Sequence, residues 1–240
     1  MLQFSFFYFH RKNLVEVSLL IKDVDLTLYK EKQVGNSFEI QKFDLKQSYR
    51  YLTFTYVFDR GNKLIIGLLV LDNLEKSILE TYVGDWQNTP YPYISGFLSL
   101  RYKEKILFAL KNLKSLYDAL IIFPGAGIQH PRYFGLASDL GLTLNTSTIG
   151  LTKSPLIGTT SERLYQKIGP IEIFDVYFKK KVIAKFLKHE KNIQGVFVSI
   201  GNHICIDTAT KLIVENLKYR LPEPLRYLKG LILKKASVNS

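Results

Sequence analysis

The sequence predicts an α/β domain in which a mixed sheet is flanked by helices. Two observations predict it. Strand-like segments separated by turn residues crowd the first third of the chain. Later, a stretch of helical periodicity runs into the short continuous apolar run Ala119–Phe123, as a parallel strand buried on both faces would read. With 240 residues and no internal repeat, low-complexity stretch or linker, the chain suits one large domain.

The elements follow in order. The aromatic start MLQFSFFYFHRK is too short for a membrane span and lacks the basic lead of a signal peptide, so it is read as a first strand. In residues 14–29, Val24, Leu26 and Leu28 alternate with Asp25 and Thr27, which is strand periodicity, and Gly35-Asn36-Ser37 reads as a turn. Residues 1–50 are therefore expected to form an N-terminal β extension packed on a domain of residues 51–240. Tyr51–Asp59 and Lys63–Leu71 flank Arg60-Gly61-Asn62 as a hairpin, with a third strand over Lys76–Val83. Ile106, Leu110, Leu113 and Tyr117, beside Leu107 and Leu116, make the apolar face of a helix. After Ala119–Phe123 come a helix holding Ala137 and Leu140, a strand over Thr146–Gly150, and strand-like Val196–Ile200 and Ile204–Ile206. Asp207 is expected to cap a helix through Leu217, and Pro222-Glu223-Pro224 opens the last one.

Composition narrows the partners. The formal net charge is +12, from 33 Lys and Arg against 21 Asp and Glu, and the cations cluster. One block holds Lys179, Lys180, Lys181, Lys185, Lys188 and Lys191, the other Lys218, Arg220, Arg226, Lys229, Lys234 and Lys235. Such a surface attracts polyanions, nucleic acid first. The single cysteine, Cys205, excludes an intrachain disulfide and a cysteine-based zinc site, and a cytoplasmic location with no membrane partner is expected. His203-x-Cys205 is no metal motif, and no Ser-His-Asp set, Walker loop or dinucleotide fingerprint is present.

Five colinear segments carry a more specific signal: PYISGFLSLR (92–101), PGAGIQHPRYFGLASDLGL (124–142), TIGLTKSPLIG (148–158), FVSIGNHICID (197–207) and YRLPEPLR (219–226). Over about residues 51 to 230 the chain resembles the endonuclease V family, whose members nick DNA or RNA beside deaminated bases on a ribonuclease-H-like fold. The segment 161–180 looks inserted, and residues 1–50 do not resemble the family's opening helix. The resemblance implies a wedge into the duplex at Tyr93 and Ile94 and a loop at Gly125 and Gly127 whose backbone lines the pocket for a flipped base. It also implies phosphate contacts at His130, Arg132 and Lys153.

The departures fall on the chemistry. The family holds a divalent metal with carboxylates. The matching positions here are read as Tyr56, Tyr102 and Pro124, with Ala126 in place of the loop histidine and Asn202 in place of a second histidine. Asp207 is the only retained metal candidate, with a plain N-cap as its other reading. Asp59, three residues beyond Tyr56, points to the opposite face of a strand. Tyrosines and proline cannot replace carboxylates around a hard cation. The expectation is a catalytically inactive endonuclease V-like protein, without catalytic residue, metal or cofactor, that binds nucleic acid, DNA or RNA, through a basic groove. Two other readings stay open: a scaffold subunit with protein partners, and a residual metal-dependent endonuclease using Asp207 and Asp59.

Overall fold

A computed structural model describes residues 25–44, 46, 48–60, 63–87, 91–114, 119–192 and 194–238. The aromatic segment expected to be a first strand lies outside them, as do Leu116, Tyr117, Gly61 and Asn62. Nine strands form one sheet in the order β3-β2-β1-β4-β5-β9-β8-β7-β6. These are β1 (Tyr51–Arg60), β2 (Lys63–Asp72), β3 (Ser77–Gln87), β4 (Leu120–Phe123), β5 (Thr148–Thr152), β6 (Thr159–Ile168), β7 (Ile171–Phe178), β8 (Lys181–His189) and β9 (Val196–Asn202). β1, β4 and β5 run parallel; every other pairing is antiparallel.

Five described helices join the sheet: α1 (Leu26–Ser37), α2 (Leu98–Leu110), α3 (Leu136–Leu144), α4 (Ile206–Val214) and α5 (Glu223–Val238). Helices α2 and α3 cover one face, where Ile106, Ala137 and Leu140 meet Leu64, Ile66 and Phe123. Helices α4 and α5 cover the other, where Leu212, Leu228 and Ile232 meet Phe54, Leu69 and Ile122. Alternation along β1 follows from this. Leu52, Phe54, Tyr56 and Phe58 belong to the α4–α5 face, and Val57 packs on the α2–α3 face.

Several expectations are corrected. Residues 26–37 are helix, not strand and turn: the Asp25 carboxylate accepts from the N–H groups of Thr27 and Leu28, at 2.8 and 3.1 Å, and so starts a helix. Leu28, placed on the buried face of a strand by its alternation, is 63% exposed. The described part of the N-terminal segment is therefore one helix followed by turn and irregular backbone up to β1, with no strand. Ile204–Ile206 is not strand: β9 stops at Asn202 and α4 begins at Ile206. The cap of α4 is Cys205, whose sulfur accepts from Thr208 N–H, while Asp207 is an exposed residue of the first turn. The segment 161–180, taken as an insertion, supplies most of β6 and all of β7, which with β8 extend the sheet. Lys179 and Lys180, with φ of 48° and 64°, form the two-residue turn between β7 and β8. The first basic block is also broken up. Lys185 is buried against Asp175 at 2.7 Å, and Lys188 pairs with Glu172 at 2.6 Å.

Candidate nucleic-acid interface

The carboxyl ends of the parallel strands β1, β4 and β5 open into one cavity of 480 Å³, where an α/β sheet places its ligands. Its wall includes Tyr93, Tyr102, Pro124, Gly125, His130 and Lys153, brought together from separate stretches of the chain. Thr55, Asp59 and Gln33 also line it; of these the sequence singles out Asp59 alone, as a candidate of the residual-endonuclease reading.

The β1 side chain turned toward the pocket between Tyr102 and Pro124 is Thr55; Tyr56 borders the cavity too, but packs on the cluster beneath α5. Strand parity allows only one of the two to face inward. The Thr55 hydroxyl is buried and has no hydrogen-bond partner among the described residues. Asp59 shares this face without any bulge, because the β1–β2 register is continuous.

Asp59 is already committed. Arg101 grips it with two nitrogens, at 2.6 and 2.8 Å, and the Tyr102 hydroxyl donates to it at 2.6 Å. Burial, then the hydrogen bond to Asp59, pushes the Tyr102 phenol well above its usual range, so it stays protonated. Pro124 offers no donor or acceptor in its side chain. Asp207, exposed in the first turn of α4, is not among the residues of this wall, and Asn202 is engaged elsewhere, bonding Gly141 O and Gln41 N–H. Among the described residues no three His, Cys, Asp or Glu side chains come together. A hydroxyl, a protonated phenol and one ion-paired carboxylate do not fit a divalent cation that needs several charged oxygens.

The glycine loop is held by backbone. Gly127 N–H donates to Ser199 Oγ at 2.8 Å and Ile128 N–H to Ile200 O at 2.8 Å. A Cβ on Gly127 would stand 1.8 Å from Ile200 O. Gly127 is therefore required by close packing on β9 and does not line the cavity; Gly125 does.

His130 and Arg132 do not lie free for phosphate. Three donors converge on the Gly96 carbonyl: Arg132 Nη2 at 2.7 Å, His130 Nε2 at 3.0 Å and Gln33 Nε2 at 3.4 Å. Arg132 Nε also donates to Gln33 Oε1 at 2.5 Å, and the guanidinium lies 4.8 Å over the Phe97 ring. His130 Nδ1 accepts from Arg132 N–H at 3.2 Å, which leaves Nε2 as the protonated nitrogen. Together they fix the loop before α2, whose Gly96 has φ +80° and whose Tyr93 is 62% exposed. Ile94 lies beside this tip but outside the cavity wall, and its carbonyl accepts from Phe97 N–H at 3.0 Å.

Burial lowers the His130 pKa from its usual 6.5 to about 4. The unfolded chain takes up a proton at this histidine below pH 6.5 and the folded one does not. Its stabilising contribution is therefore full above pH 6.5 and is lost as pH falls from 6.5 to about 4, by about 3 kcal/mol in all. Denaturant midpoints followed over that range should fall, and His130→Gln should flatten the fall; an equal slope in both proteins would refute this. Lys153 is half-buried, and desolvation, then the charges of Lys229 and Arg220, hold its pKa below the usual lysine range.

The Endonuclease V family model matches residues 52–228. The chain belongs to the endonuclease V family. It is 35% identical over 201 residues to endonuclease V of Dictyoglomus thermophilum, covering 83% of this chain and 85% of that one. Endonuclease V of Streptomyces avermitilis superposes with a TM-score of 0.73 at 25% identity, over 88% of this chain and 92% of the other. Ciona intestinalis endonuclease V, solved with a 24mer DNA containing an inosine followed by a ribo-adenosine, gives 0.74 at 22% identity over 90% and 99%, a likeness of fold. The ribonuclease-H-like sheet of endonuclease V is thus the fold of this chain. No described helix is long and apolar enough to cross a membrane.

Proposed function

We propose that this endonuclease V family member binds nucleic acid at the cavity beside Tyr93 and Lys153 and does not cut it by the family's metal-dependent route. The observation that carries the reading is the donor set of the pocket: Thr55, Tyr102 and Pro124 share its wall with one carboxylate, Asp59, which is neutralised by Arg101. Relatives solved with inosine-containing DNA support the nucleic-acid part. The cavity remains open, so a base turned out of its stack has a place to enter; unstacking costs less for a mismatched or unpaired base.

The test uses duplexes, DNA and RNA, with one inosine or with adenosine in its place. The expected result is binding without nicking in Mg²⁺ or Mn²⁺, with at most a preference of about tenfold, or about 1.4 kcal/mol, for inosine. Stoichiometric nicking by pure protein, abolished by Asp59→Asn, would sink the reading. Affinity should also fall with salt, since contacts to phosphate release counterions. Lys153→Ala should reduce the salt slope by about one for every sequence tested. An unchanged slope would remove Lys153 from the interface.

A further inference from the structure

A second groove, of 960 Å³, opens next to the cavity and shares Lys153 and Ser154 with it. Its cations are Lys153 on the segment after β5, Arg220 before α5, and Arg226 and Lys229 on α5; among the described residues no acidic side chain lines it. Glu223 pairs with Arg226 at 2.7 Å on the exposed surface, where such a pair is weak. Arg220 is held by neutral partners, Gln194 Oε1 at 2.6 Å and Gly195 O at 3.3 Å, so its position is fixed while its charge is not neutralised. The nearby Lys229 and Arg220 charges lower the Lys153 pKa, an independent sign that the cations stand close together. Arg226 lies 4.2 Å over the ring of Tyr219, itself 57% exposed, which gives the groove a flat face beside its charges.

Like charges gathered this closely repel one another, and an extended polyanion relieves that repulsion along the row. Aromatic and guanidinium faces accept any base by stacking. We propose that a nucleic-acid strand leaving the cavity past Lys153 lies in this groove. Its phosphates contact Lys153, Arg220 and Lys229, and a base rests against the Tyr219–Arg226 pair. The inference rests on the proposed binding at the cavity and adds the path of the flanking strand.

The experiment measures affinities for a short inosine-centred single strand and for versions extended on one side or the other, in deoxy and ribo forms. Extension on one side should tighten binding and steepen the salt slope by about 0.7 for each additional phosphate that the groove neutralises. The two sugar arms show which nucleic acid benefits more. In an Arg220→Gln, Lys229→Gln protein the tightening on extension should disappear. Arg220→Lys with Lys229→Arg should keep it, which separates charge from a structural role. The path is overturned if neither extension helps the unmutated protein, if the glutamine variant keeps the tightening, or if the charge-conserving variant loses it. Inosine preference in the short strands reads the cavity alone. Tighter binding on extension without that preference would sink the cavity reading and keep the groove, and the reverse result would do the opposite.

Discussion

Replacing Gly127 by alanine is expected to move the unfolding transition to much lower denaturant. The added methyl would sit 1.8 Å from Ile200 O, and backbone, not a flexible side chain, is what it meets. Gly150 faces the same loop, where its own Cβ would lie 2.4 Å from Gly127 N, so the loop has no room to retreat. Overpacking that only side chains can relieve costs about 1–3 kcal/mol, and a backbone clash belongs at or above the top of that range. Gly230, inside α5, has nothing within 4 Å of its missing Cβ. Gly230→Ala should stabilise by about 0.5–1 kcal/mol through helix propensity and serves as the control. A Gly127→Ala protein with an unshifted midpoint would show that the loop can leave β9. It follows that loss of binding on substitution at Gly127 reports folding and not base recognition.

The second large effect concerns the missing acids. Thr55→Asp, Tyr102→Glu and Pro124→Asp together would surround the cavity with carboxylates next to Asp59. Mn²⁺ binding, followed by calorimetry, should rise from no measurable heat to a stoichiometric site, with nicking of inosine-containing DNA as the further readout. The decisive control places the first acid at Tyr56 instead of Thr55. That carboxylate would enter the apolar cluster beneath α5, lose stability and bind no metal. If the Tyr56 series binds metal and the Thr55 series does not, the assignment of strand faces is wrong. Pro124 also fixes φ, so the calorimetric signal is the more direct measure than the rate.

Much of the fold was legible because strong local signals agreed with tertiary ones. The β1–β2 hairpin, the buried β4 run and the α3 face all carried their periodicity into the structure. Helix α1 was not legible. Three alternating apolar residues suggested a strand, while the helix depends on the Asp25 cap and on partners distant in sequence, such as Gln33 with Phe134 O. The β7–β8 turn carried two lysines where glycine or asparagine signals such turns, so its charge was noticed and its geometry was not. In the site, Tyr102 and Pro124 both line the cavity. Thr55 drew no attention in the sequence, and the one-residue step between it and Tyr56 is the whole difference between the two faces of a strand. His130 and Arg132 looked like phosphate ligands because their chemistry suits phosphate. Only the convergence on Gly96 O shows that they hold the Tyr93–Gly96 loop.

The bond from Ile128 N–H to Ile200 O also sets an order on synthesis. Every residue named in the cavity wall has left the ribosome once Lys153 has, yet the strand on which the glycine loop rests, β9, is made later and inserts between β5 and β8. Domains fold as units as the chain emerges, and incomplete sheets expose apolar surface until their missing strand arrives. A nascent or truncated chain ending before β9 therefore has an open sheet edge at β5 and is a target for proteases and chaperones. Such a chain contains every polar side chain of the cavity wall but not the strand on which its glycine loop rests.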